Sequence, residues 1–219
     1  MTDLDAAARR RALTRARLVP LIAASVVVAI AAALVALTLR QPEVPTYAPT
    51  PPAAKDAGRA LVGPVIYTVD ATDPERWRHF SFRLGSVVDD TEASGWDLAF
   101  RRYQILANGG PGYAGKGGIR DLGALRFGDV RTVPDRDYVA NDSNPDPRNV
   151  AIITWYGYGF FSHVLTPKPR VWAIRTADGR YAKMEIVSYY CPGSRPGCIT
   201  FRYVFQGDGS TATLPPESG

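Results

Sequence analysis

Residues Leu18 to Leu39 run for 22 positions without one charged side chain, directly behind five arginines. A helix rises about 1.5 Å per residue, so this run reaches roughly 33 Å, enough to cross a hydrocarbon core of about 30 Å. Arg9, Arg10, Arg11, Arg15 and Arg17 crowd its N-terminal flank, whereas Arg40 alone follows it, ahead of Gln41-Pro42-Glu43. The positive-inside bias predicts a cytoplasmic basic tail over 1–17 and a retained transmembrane helix in the bilayer over 18–39. Everything after Arg40 then lies across the membrane, in a bacterium on the periplasmic side of the inner membrane. A secretory signal would have an apolar region of about 7–15 residues with a small-x-small site close behind it. Here the run is longer and leads into Leu37-Thr38-Leu39-Arg40. The first cysteine is Cys191, so no lipidated cysteine follows the apolar run.

The formal charge of +5 is topological. Six arginines oppose two acids in residues 1–40, while the remainder holds 20 basic and 19 acidic residues. Such a distribution marks a cytoplasmic flank beside anionic lipid rather than a phosphate-tracking surface, and it argues against nucleic acid as a partner. The two cysteines stand in Cys191-Pro-Gly-Ser-Arg-Pro-Gly-Cys198. In an oxidising compartment a pair flanking a tight Pro/Gly loop suits a structural disulfide, which closes the loop and stabilises by roughly 2–3 kcal/mol.

Gln41 to Lys55 holds five prolines in fifteen residues. The composition predicts an extended linker over 40–57, either a spacer or a strap on a partner surface. The remainder, 58–214, is near the usual size of one domain, with 215–219 as a tail. Its patterning is β. Phe80 and Phe82 alternate with His79, Ser81 and Arg83, and Trp96, Leu98 and Phe100 alternate with Asp97, Ala99 and Arg101. Val150 to Trp155 is a short continuous apolar run. Val171–Arg175 and Tyr181–Tyr190 flank Ala177-Asp178-Gly179, a hairpin signal in which both Asp and Gly tolerate positive φ. Ile199–Phe205 alternates again and should pair with the preceding strand across the cysteine loop. The expected fold class is all-β, an antiparallel β-sandwich behind one transmembrane α-helix.

Several motifs imitate known chemistry. Gly110-Pro-Gly-Tyr-Ala-Gly-Lys-Gly117 fits both G-x-G-x-x-G and G-x-x-x-x-G-K, but position 117 is not Ser or Thr, and Gly118-Ile-Arg-Asp-Leu-Gly is a poor helix start. The reading is a glycine-rich loop. Asp135, Asp137, Asp142, Asn144 and Asp146 gather oxygen ligands, and Asp142, Asn144 and Asp146 form a minor calcium candidate. Pro147 stands where that loop needs glycine, and Ile153 where it needs Glu, so a polar surface loop is the expectation. His79 and His163 are the two histidines. Ser162 and His163 are adjacent, which is not the geometry of a nucleophile and its base. No catalytic set is legible, and the expectation is a protein without enzymatic activity.

A family resemblance follows from strings in fixed order. Ser94-Gly-Trp-Asp-Leu-Ala-Phe-Arg-Arg102 with Ile105-Leu-Ala-Asn-Gly-Gly110 resembles the W-D-[IL]-A-F…N-x-G signature of the HmuY-like domain family. Trp77–Leu84, Trp155–Leu165, Arg175–Lys183 with Ser188-Tyr-Tyr190, and Thr200–Tyr203 are similar as well. The resemblance spans about 62–207 and implies an all-β extracytoplasmic fold. It also implies haem as the alternative ligand, because the family's named member is a haem-capturing lipoprotein that ligates iron with two histidines. Neither histidine here matches a ligand position of that carrier. His163 remains a minor haem candidate, and a bis-histidine complex is not expected.

Without a catalytic set, the leading expectation is an accessory subunit of a larger membrane complex, respiratory or photosynthetic. It would bind no cofactor and would dock on other membrane-protein subunits. The small residues Ala23, Ala24, Ser25, Ala29, Ala31, Ala32 and Ala33 would let a neighbouring helix approach. The alternative is a haem- or porphyrin-binding protein.

Overall fold

Ala and Arg are strong helix formers, and the residues ahead of the apolar run consist largely of them. The computed structural model, which describes residues 3–39, 43–89, 95–142 and 146–214, accordingly continues one helix, α1 (Asp3–Leu39), from the basic tail through the apolar run. Within α1 the segment Leu18–Leu37 is long and apolar enough to cross a membrane, and its side chains are all exposed.

The strands form the second unit: β1 (Leu61–Asp70), β2 (Arg78–Ser81), β3 (Ser86–Val88), β4 (Leu98–Arg101), β5 (Gln104–Ala107), β6 (Gly118–Asp121), β7 (Tyr156–Tyr158), β8 (Leu165–Pro167), β9 (Trp172–Arg175), β10 (Tyr181–Cys191) and β11 (Arg195–Gln206). They make a five-stranded sheet, β1-β11-β10-β9-β6, a four-stranded sheet, β3-β2-β4-β5, and a two-stranded ribbon, β7-β8. Every pairing between these strands is antiparallel. The two larger sheets meet through aromatic rings. Phe80 lies 4.9 Å from Tyr67 and 5.2 Å from Phe201, Phe82 lies 5.2 Å from Tyr203, and Phe100 stacks on Phe201 at 5.4 Å. Edge-on and offset contacts of this kind add to the burial term and favour one arrangement of the sheets. Cys191 and Cys198 are joined by a disulfide that closes the β10–β11 connection.

Three expectations change. Val150–Trp155 is not a strand. The Asn149 side-chain oxygen accepts from Ala151 N at 3.2 Å and its carbonyl from Ile152 N and Ile153 N, which curls the run into turns. At the Asp178-Gly179 turn only Gly179 has positive φ, at 87°, so the hairpin closes through a longer loop with one left-handed glycine. The third change is that β1 forms where the sequence pattern assigned no strand, its Gly63-Pro64 accommodated at an irregularity between Val62 and Val65 on an edge strand.

The proline-rich stretch follows its own domain. The Pro45 carbonyl accepts from Ser188 Oγ, Tyr47 N donates to Tyr190 O at 2.9 Å, and Thr50 N donates to Thr68 O at 2.9 Å. Further on, Ala53 N meets Ser86 Oγ at 3.2 Å, and Lys55 N and Ala57 N donate to Leu84 O and Arg83 O. These bonds run 45–57 from the end of β10 past edge strand β1 to the β2–β3 turn, and at Thr68 they satisfy a backbone group that the edge would otherwise leave unpaired.

Candidate functional site

Trp96-Asp97-Leu98-Ala99-Phe100 divides its side chains between two environments. Leu98 and Phe100 are fully buried in the aromatic core. Trp96 departs from the expected alternation. It clusters with Ala99 and Leu106 on the other face of the four-stranded sheet, with Trp77, Val88 and Tyr113 packed beside them. The cause is Asp97, which lies before the strand begins and is drawn inward. Its carboxylate accepts from Phe82 N at 2.7 Å and from Ala177 N at 2.9 Å, so one side chain ties the four-stranded sheet to the β9–β10 turn. Burial pushes the Asp97 carboxyl up to about 6, against the pull of those two backbone N–H groups.

Asn108 continues the arrangement. Its Nδ2 donates to Trp96 O at 2.9 Å, and its Oδ1 accepts from Gly115 N at 3.2 Å. The glycine-rich loop is thereby folded back over the sheet. A Cβ on Gly115 would stand 2.4 Å from Asn108 O and 2.7 Å from the Ala177 Cβ, so only glycine permits the approach. The loop suits this close backbone packing rather than phosphate binding, and the segment after it is strand β6, not a helix.

Loop and sheet together border an open hollow of about 320 Å³ lined by Trp77, His79, Trp96, Ala99, Leu106, Asn108, Gly112, Tyr113 and Ala114. Small-molecule sites commonly span about 300–1,000 Å³. His79 pairs with Ala99 across β2 and β4, and its ring lies 4.5 Å from that of Trp96. Tyr113 meets Trp96 edge-on at 6.0 Å, and burial raises its phenol. Trp77 is backed by the Arg101 guanidinium, 4.5 Å above its ring. A second hollow of about 350 Å³ adjoins through Trp77 and His79, with Arg76, Arg78, Val88 and Asp89 completing its wall.

His163 is elsewhere. It is exposed at φ 54° in the turn of the β7–β8 ribbon, where its N–H donates to Gly159 O at 2.8 Å, and it is not among the residues lining either hollow. Of the calcium candidates, Asp142 is ion-paired with Arg148 at 3.4 Å, Asp146 is exposed, and Asn144 lies outside the described residues. Among the described residues no three His, Cys, Asp or Glu side chains gather as a metal site. His79 is the residue that sequence reasoning passed over. The available signal was Trp77 two positions earlier, since residues two apart share a strand face.

The HmuY protein family model matches residues 73–203. Among solved structures, the apo HmuY analogue of Tannerella forsythia superposes with a TM-score of 0.54 at 18% identity, covering 69% of this chain and 99% of that one. A candidate HmuY-like heme binding protein from Bacteroides vulgatus gives 0.51 at 21% identity, with 71% and 97% covered. A candidate lipoprotein from Bacteroides fragilis gives 0.51 at 20%, with 70% and 93% covered. Among curated protein sequences none matches. These findings overturn the expected accessory subunit of a respiratory or photosynthetic complex: the family and the fold neighbours named above are HmuY-like proteins and a candidate lipoprotein, and nothing in them points to such an assembly.

Proposed function

The chain belongs to the HmuY family, and from that premise we propose that it is a non-catalytic extracytoplasmic binding protein whose ligand is haem or a related porphyrin. The helix α1 holds it in the cytoplasmic membrane with the N-terminus inside and the β domain in the periplasm. The observation that carries the reading is the hollow on the outer face of the four-stranded sheet, with two indoles, a phenol and an imidazole around one space. That donor set fits the group. Trp77, Trp96 and Tyr113 present flat apolar surface to a macrocycle, and His79 offers a nitrogen to a metal at its centre. Arg76 and Arg78, set against Asp89 in the adjoining hollow, favour an anionic edge. A bound haem would supply an iron that a nitrogen donor such as His79 could hold. The chain's own residues stack on the ligand, exclude water from its faces and, through His79, fix its depth. The likeness to a candidate heme binding protein at 21% identity supports the fold of such a site.

The test is titration of the full-length chain in mild detergent with haemin and, separately, with iron-free protoporphyrin. Both should quench tryptophan fluorescence to saturation, and haemin should also shift its Soret band. Neither response at micromolar ligand would reject the proposal.

A further inference from the structure

The exposed apolar side chains of the β domain are concentrated at one end. Among the described residues eight large ones are exposed beyond α1, and six of them are Tyr103, Val150, Ile153, Tyr158, Phe160 and Phe161. Side-chain contacts link Tyr103 to the 155–156 segment. Trp155 Nε1 donates to Tyr103 O at 2.9 Å, the Trp155 ring lies 5.1 Å from Tyr156, and Tyr156 lies 5.8 Å from Tyr103. The turn at 150–154 leads directly into β7, and the ribbon runs on through Phe160 and Phe161, whose rings meet edge-on at 5.3 Å. Phe160 is 76% exposed, an unusual cost for a tip in water.

The chain reaches the domain at this same end. The base of β8 is fixed where Leu165 N donates to Tyr190 Oη at 2.8 Å; Tyr190 O accepts from Tyr47 N, and neighbouring Ser188 holds Pro45. The ring of Tyr189 lies 5.9 Å from Trp155. Leu39, where α1 ends, precedes Pro45 by six residues, a reach of about 20 Å when fully extended. No Asp or Glu occurs over 147–177, while Arg148, Lys168, Arg170 and Arg175 do.

We infer that this aromatic end is a lipid-facing surface, its β7–β8 tip seated in the headgroup–acyl boundary of the bilayer that α1 crosses. The occupant follows from the short tether, from the Tyr and Phe chemistry of membrane interfaces, and from an acid-free stretch with basic flanks that suits anionic headgroups. The inference rests on α1 being a retained anchor and is independent of the pocket's ligand.

The native chain has no free thiol among its described residues, so single cysteines can be labelled cleanly. Full-length Phe160→Cys, Phe161→Cys and Leu125→Cys chains would each carry a nitrobenzoxadiazole probe. They would be reconstituted in phosphatidylethanolamine–phosphatidylglycerol vesicles, with or without brominated acyl chains. Probes at 160 and 161 should shift to the blue and lose emission to the brominated lipid, while the probe at 125 does neither. Intact mass separates the two ways to fail. A chain beginning beyond Leu39 removes the anchor and overturns the inference with it. An intact chain whose tip probes behave like that at 125 overturns the lipid surface alone, and a protein partner would then have to cover the patch.

Discussion

The two faces of the four-stranded sheet are built from the same strands and similar residue types, yet they end in opposite conditions. On the inner face Phe80, Leu98 and Phe100 are fully buried against the other sheet. On the outer face His79 and Trp77 remain partly exposed around open space, although Trp96, Ala99 and Leu106 lie beneath them. The inner face has a whole sheet to fill it, whereas the outer has only the loop at 112–114. A concave aromatic surface of this size, bordered by a glycine-rich loop, is the shape of a small-molecule site, and it is the basis of the proposed function.

This contrast can be broken by substitution on either side. Phe100→Ala, which opens the sealed core, should cost about 3–5 kcal/mol in urea unfolding while leaving the outer residues in place. A loss under about 1 kcal/mol would mean the inner face is not the main source of stability.

Asp97, which separates the faces, makes stability depend on pH. Its proton is held to about 6 in the folded chain against 3.8 for an ordinary aspartate. Between those values the folded state binds more protons than the unfolded one, so stability falls as pH rises. The contribution is complete below 3.8, is gone above about 6, and amounts to about 3 kcal/mol. Urea titrations across this range should show the fall in the native chain and a flat profile in Asp97→Asn; an equal fall in both would assign the titration to another group.

Ala99→Leu sharpens the comparison from the open side. Filling the hollow should raise stability by about 0.5–2 kcal/mol and weaken ligand binding at least tenfold. Destabilisation instead would show that the space is already closed. His79→Ala takes a partly exposed ring away from Trp96 and should cost less than Phe100→Ala, under about 2 kcal/mol. A larger loss would make His79 a structural residue.

The alternation of Phe80 and Phe82 made the inner face legible, because a period of two with bulky apolar residues has few other solutions. The disulfide and the Asp178-Gly179 hairpin were legible from local chemistry. The hollow was not. It depends on Asn108 bonding across to Trp96 O and Gly115 N, contacts between segments that no periodicity links. Strict alternation groups Trp96 with Leu98 and Phe100, because it takes no account of the inward turn at Asp97. Val150–Trp155 misled for a similar reason: apolar content suggested a strand, while the Asn149 side chain determines the backbone. The path of 45–57 over its own domain was equally hidden, since an extended proline-rich segment carries no mark of the surface it follows.

The central claim is that the outer hollow, through His79, is where the ligand binds. Haemin titrations of full-length His79→Ala and His163→Ala in the same detergent test it most directly. The account predicts that His79→Ala loses the Soret shift and weakens affinity at least tenfold, while His163→Ala behaves as the native chain. Loss of the shift in His163→Ala with His79→Ala unchanged would contradict it and move the site to the β7–β8 ribbon.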